Sequence, residues 1–183
     1  MSLRYGLLGL LNYYDMSGYD LKKTFESSLQ YMWSAKSSQI YRELGKMEKE
    51  GLVLSKIEQQ EKKFDKKVYS ITKLGITAFQ EWLEHFPKNL ELPIRDEFIV
   101  RVFFGEHLSF ENLIFEVKRF KKQREDTLEA LTTILITAKH AAAEDGLDKS
   151  YYFWKLTINK ALKETQAEIE WAKETIDELM NRS

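Results

Sequence analysis

Apolar positions along the chain recur at helical spacing nearly everywhere, with one short stretch where the period drops to two. Residues 3–14 read as a helix whose Leu7, Leu8, Leu10 and Leu11 crowd inward. Asp15-Met16-Ser17-Gly18 reads as a turn, with the Ser17 hydroxyl placed to cap a helix over 18–28 in which Leu21 and Phe25 stand four apart. A second turn, Trp33-Ser34-Ala35-Lys36, leads into a third helix over 37–50, and Ile40, Leu44 and Met47 form its inward stripe. Gly51 follows as a left-handed stop. Residues 52–57 and 67–71 are short and rich in β-branched and aromatic side chains, and the polar stretch between them gives a hairpin with a solvated tip. Thr72 is placed to cap a fourth helix running to 84, with Leu74, Phe79, Trp82 and Leu83 expected to turn inward.

Pro87 and Pro93 then fall within seven positions. Each removes an amide donor and disfavours helix in the residue before it, so a linker is expected over 87–93, between a front domain at 1–86 and a rear domain at 94–183. The rear is helix throughout. A short helix over 94–104 stops at Gly105, and Ser109 is placed to cap a long one over 110–143. At 1.5 Å per residue that helix is roughly 50 Å long. Asp145-Gly146 marks a turn, and a last helix covers 149–181. In it Ile158, Leu162, Thr165, Ile169, Ala172, Ile176 and Leu179 alternate in steps of four and three, the period of a coiled coil. That seam predicts a dimer interface built on Ile158, Leu162, Ile169, Ala172, Ile176 and Leu179.

Composition narrows the chemistry. With no cysteine among 183 residues, disulfides, thiol catalysis and Cys-ligated metals are excluded. No apolar run reaches the roughly 18 residues a membrane span needs, and no signal peptide is visible, which points to a cytoplasmic location. Net charge is −1, but its distribution is uneven. The first 80 residues hold 13 of the 28 Lys and Arg and 9 of the 29 Asp and Glu, a balance of +4, which leaves −5 for the rest. A basic front on an acidic rear suits a domain that meets nucleic acid, carried on a separate scaffold.

The fold class expected from this order is mainly α: a winged helix-turn-helix domain in front and an antiparallel helical, coiled-coil dimerisation domain behind. The third helix is then the recognition helix. Lys36, Ser37, Ser38, Gln39, Tyr41, Arg42 and Lys46 lie on or beside its first turns, with Ser38, Gln39 and Arg42 able to reach base edges. Lys62, Lys63, Lys66 and Lys67 gather four ammonium groups at the wing tip, suited to phosphates or the adjacent minor groove. Such a tip is also what an ordinary solvated turn looks like. A winged helix that docks on another protein, without DNA, is the alternative reading.

At this point the chain resembles the PadR-type transcriptional repressors. The residues that carry the resemblance are Leu7-Leu8-Gly9-Leu10-Leu11, Ser17-Gly18-Tyr19-Asp20-Leu21, Trp33-Ser34, Gln39-Ile40-Tyr41-Arg42-Glu43-Leu44, Met47-Glu48, Glu50-Gly51-Leu52-Val53 and Tyr69-Ser70-Ile71-Thr72-Lys73-Leu74-Gly75. Arg95-Asp96-Glu97-Phe98, Phe103-Phe104-Gly105, Tyr152, Trp154, Thr157, Glu168 and Trp171 look like the longer branch of the family, whose rear domain is dimeric. The resemblance implies a homodimeric repressor on an inverted-repeat operator, released by a small molecule; founding members respond to phenolic acids such as p-coumarate. The wing tip lacks the Gly/Pro-rich turn of many members.

Other residues read in two ways. Tyr19 and Trp33, with Tyr152 and Trp154 facing them, suit a flat-ligand pocket between the domains, or else core and interface packing. Tyr13, Tyr14, Tyr69 and Tyr151 belong to the same two readings. His85, His107 and His140 are 22 and 33 residues apart without metal spacing, so no metal or cofactor is expected. Glu164, Glu168 and Glu170 read as the charged flank of the seam. No phosphate loop, nucleophile elbow or paired acid–base motif occurs, and no enzymatic activity is expected.

Overall fold

Leu7, Leu8, Leu10 and Leu11 are the buried residues of the first helix, α1 (Ser2–Leu11), and around them the front of the chain assembles. The structure, a computed structural model, describes residues 2–59, 66–88 and 96–182. It divides into two units, Met1–Glu91 and Leu92–Ser183.

In the first unit the Ser17 hydroxyl accepts from the Asp20 amide at 3.1 Å and so starts α2 (Gly18–Ser28), whose Leu21 and Phe25 are buried. The third helix, α3 (Ser37–Lys49), buries Ile40, Leu44 and Met47 and ends at Gly51, φ +73°. There the Leu52 amide donates to Met47 O at 2.9 Å and the Gly51 amide to Glu48 O at 3.1 Å, the paired bonds that close a helix through a left-handed residue. Arg4 pins α1 to α3: its Nε donates to Glu43 at 2.7 Å and its two terminal nitrogens donate to the Glu50 carboxylate at 2.6 and 2.8 Å.

The hairpin is β2 (Val53–Glu58) and β3 (Lys66–Ile71), antiparallel from Val53↔Ile71 out to Glu58↔Lys66. The predicted turn at Asp15-Met16-Ser17-Gly18 is corrected in part. Met16–Ser17 forms a two-residue strand, β1, paired with β3 through Met16↔Tyr69 and Ser17↔Val68, so the sheet order is β1-β3-β2. Two residues are too few to show a period of two, and nothing local marks them as strand.

The last helix of the unit, α4 (Lys73–Glu84), is capped by Thr72, whose hydroxyl accepts from the Gly75 amide at 3.0 Å. Its phase differs from the expected one. Gly75 is buried with Leu52 O so near that an added Cβ would lie 2.2 Å from it, which sets 75, 78, 79 and 82 toward the unit. Phe79 packs on the core and Trp82 stacks on Tyr5 at 4.8 Å, whereas Leu74 and Leu83 are exposed.

In the second unit Asp96 caps α5 (Glu97–Phe103), followed by a 3₁₀ turn at Gly105–His107. Ser109 caps α6 (Phe110–Glu144). Gly146, φ +66°, reverses the chain into α7 (Asp148–Arg182), with the Leu147 amide donating to Ala142 O at 2.8 Å. The two long helices run antiparallel: Leu113 and Val117 of α6 pack with Ala172 and Ile176 of α7, and Phe98, Phe120 and Trp171 add a stacked and edge-on aromatic cluster. Of the expected linker, residues 89–93 lie outside those described, as do positions 94 and 95 of the expected helix start.

The heptad seam therefore has its partner inside the chain. Ile158, Ile169, Ala172 and Ile176 are buried within one copy, and Leu162 and Leu179 are half-buried. They are intrachain core rather than a free dimer face. A four-three spacing is the same whether the facing helix belongs to this chain or another. Here α6 supplies it, with Leu113, Val117 and Phe120 spaced four and three.

Candidate nucleic-acid interface

Three packed residues on one side of α3 leave the opposite side to solvent. With Ile40, Leu44 and Met47 fully buried, Ser38, Gln39, Arg42 and Lys46 recur at helical spacing on the outer face and all are exposed. Lys36 and Ser37 stand at the helix start, where unpaired amides and the positive dipole end suit a phosphate. Arg42 has no ion-pair partner among the described residues. Lys46 lies 3.9 Å from Glu43.

Gln39 is already engaged. Its side-chain carbonyl accepts from the Lys36 amide at 2.7 Å, which fixes the first turn and leaves the NH₂ group outward. Tyr41 is half-exposed and lies over Gly18, whose missing Cβ would come 2.7 Å from the ring. The glycine thus gives Tyr41 its seat at the N-terminus of α2.

The wing lysines divide. Lys62 and Lys63 lie outside the described residues. Lys66 and Lys67, at the outer end of β3, are not free cations. Lys66 Nζ reaches Asp20 Oδ2 at 2.7 Å, and Lys67 Nζ donates to Glu48 Oε2 at 2.8 Å while lying 5.1 Å from the centre of the Tyr69 ring. The bond from Lys66, with a second from the Ser17 hydroxyl, holds the Asp20 carboxyl below the usual carboxylate range. Glu48 is likewise lowered, by the bond from Lys67 first and then that from Ser55. The Lys67 ammonium is raised by Glu48. Sequence reasoning missed these pairings because the partners lie 46 and 19 positions apart and carry no shared motif.

The aromatic candidates fall on both units. Tyr19 and Trp33 are exposed on the first, beside the α2 N-terminus and in the turn before α3. Tyr152 and Trp154 lie on α7 of the second, Tyr152 exposed with its ring edge-on to Phe153 at 5.3 Å. Tyr69 is core. In the second unit Val100 and Phe103 of α5, Phe104 just after it and Phe115 of α6 are exposed. No helix among the described residues is long and apolar enough to cross a membrane.

Residues 7–81 match the model of the transcriptional regulator PadR-like family, and residues 94–180 match that of the virulence activator alpha C-terminal family. The chain is similar to the negative transcriptional regulator PadR of Bacillus subtilis strain 168, 31% identical over 173 residues that span 92% of each protein. The solved structure of Bacillus subtilis PadR in complex with operator DNA superposes with a TM-score of 0.83 at 27% identity, over 98% of both chains. The same protein in complex with p-coumaric acid gives 0.73 at 28% identity, over 98% of this chain and 99% of that one. The Vibrio cholerae virulence activator AphA gives 0.75 at 30% identity, over 99% of both.

Proposed function

The chain belongs to the PadR-like family of transcriptional regulators, and from that premise we propose that it is a homodimeric repressor that docks α3 in the major groove of an inverted-repeat operator. The carrying observation is the outer face of α3. Ser38, Gln39, Arg42 and Lys46 stand exposed opposite a fully buried stripe, on a helix pinned by Arg4, so the face is both free and fixed. Arg42 suits the two acceptors of a guanine, while the outward Gln39 NH₂ and the Ser38 hydroxyl suit single acceptors. Lys36 and Lys46, with Lys62 and Lys63 of the wing, are assigned to phosphates. The proposal assigns no reaction to the chain and places it with DNA, in the cytoplasm.

A second copy is assigned to the exposed apolar residues of the rear unit, Val100, Phe103, Phe104 and Phe115, rather than to the seam, which is already filled. Phe103 is 79% and Phe115 65% exposed, large apolar side chains that a second copy would cover. Two-fold symmetry then puts half-sites about one turn, roughly 10 bp, apart or a multiple of that. Since Bacillus subtilis PadR has been solved with p-coumaric acid, a small aromatic acid is the proposed class of releasing ligand.

Selection of duplexes from a random pool by the purified chain tests this reading. The expected product is an inverted repeat bound by two copies, with affinity falling on the order of a thousandfold between 50 and 200 mM salt as counterions are released. Millimolar p-coumaric acid is expected to release it. Enrichment of no sequence, with indifference to any duplex at low salt, contradicts the proposal and points to a protein-docking winged helix.

A further inference from the structure

A helix that meets phosphates gains nothing from carboxylates, yet α3 carries Glu48 just two residues beyond Lys46. Glu48 is half-buried and each of its oxygens is taken. Oε1 accepts from the Ser55 hydroxyl of β2, and Oε2 accepts from Lys67 of β3 at 2.8 Å. One carboxylate on α3 thus holds both strands of the wing.

The place where it holds them matters. The hairpin is anchored to the core at Val53 and Ile71, and Lys67 lies four positions further out, opposite Ile57. At about 3.3 Å per residue the described strands reach roughly 16–20 Å from that anchor, so a tilt of about ten degrees moves their outer end by about 3 Å. Lys66 is tied from elsewhere, to Asp20 on α2. Successive strand residues point to opposite faces, so the outer end of β3 is tied from both faces to the two helices of the helix-turn-helix. Exposed ion pairs add little to stability. They can still fix an angle between two elements that must meet one ligand.

We propose that Glu48 is a positioning residue for DNA recognition: by holding Ser55 and Lys67 against α3 it sets the wing at the angle where wing and helix engage one duplex. This rests on the function proposed above. It also reverses the electrostatic expectation, because deleting a negative charge from a helix that meets phosphates then weakens operator binding instead of strengthening it. Lys67, in turn, acts through Glu48 and not as a phosphate contact.

The test is fluorescence anisotropy on the full chain, with the duplex selected by the wild-type protein and a mixed-sequence duplex of equal length. Glu48→Gln is expected to bind the selected duplex about tenfold more weakly and the mixed one within about twofold of wild type. Lys67→Gln is expected to do the same, and the double variant to lose no more than Glu48→Gln alone, the mark of two residues acting as one unit. Circular dichroism is expected to place the Tm of Glu48→Gln within about 4 °C of wild type. Should that variant fail to fold, Ser55→Ala and Lys67→Gln carry the same comparison. Tighter binding to both duplexes, equal weakening on both, or no change on either overturns the proposal. A wild-type protein that selects no duplex fails the proposed function, a different result from any of these.

Discussion

Gly75 has no side chain and yet decides how α4 sits. A Cβ there would lie 2.2 Å from Leu52 O and 2.8 Å from Ile71 Cγ1, so the helix touches backbone at that point and its phase is fixed. Gly75→Ala is expected to cost about 3 kcal/mol, because a carbonyl cannot step aside as a side-chain tip can. In thermal melts that is a loss on the order of 10–20 °C for a unit of this size. Gly45→Ala, in the middle of α3 with nothing within 4 Å of its Cβ, is expected to raise the Tm, since it removes backbone freedom from the unfolded chain at no steric expense. Equal behaviour of the two variants contradicts this account of Gly75. The pair also shows what the sequence hides at this scale. Thr72 announced the start of α4, since a hydroxyl before an apolar run is a readable cap, but Leu74 and Leu83 were expected inward and are exposed. Hydrophobic counting cannot see a contact made by a missing side chain.

Among elements, the helices were legible because each carries its own start and stop: Ser17, Thr72 and Ser109 as caps, Gly51 and Gly146 as left-handed stops. The relations between elements were not. β1 exists only through its pairing with β3, and the wing is aimed by Asp20 and Glu48, which in sequence are merely two acids near many lysines. Both carboxyls have lowered pKa values, which gives the wing a defined acid response. A lowered folded pKa contributes stability that is full above the ordinary carboxylate pKa, about 4, and is lost as pH falls through the lowered value. The Tm difference between wild type and an Asp20→Asn/Glu48→Gln variant is therefore expected to be small, constant from pH 7 to about 5, and to vanish toward pH 3. A gap that widens on acidification contradicts the assignment. The seam on α7 shows the same limit from another side. Its four-three rhythm predicts a dimer face and turns out to pack inside the chain, because the rhythm says that a helix packs on a helix but not whose helix that is.

Taken as a molecule, the chain joins a front unit, whose first 80 residues balance to +4, to a rear unit of long helices, and sequence resemblance and structure agree on a PadR-like regulator. What each unit contributes differs in kind. The front unit offers a rigid reading face, made so by burial of Ile40, Leu44 and Met47 behind it and by Arg4, which holds the middle and the C-terminal end of α3. The rear unit offers uncovered aromatic surface at α5 and the start of α6, where a second copy is assigned. Reading a site twice at fixed spacing is what turns a few hydrogen bonds per helix into useful discrimination, since each well-made base contact is worth about 1–3 kcal/mol. The most direct measurement of this account is the affinity of Arg42→Ala, beside wild type, for the selected duplex and for the same duplex altered at one base pair in each half-site. The account predicts that the variant binds the selected duplex at least about tenfold more weakly and no longer distinguishes the two at one position per half-site. Unchanged affinity together with unchanged base preference would mean that α3 does not face the DNA.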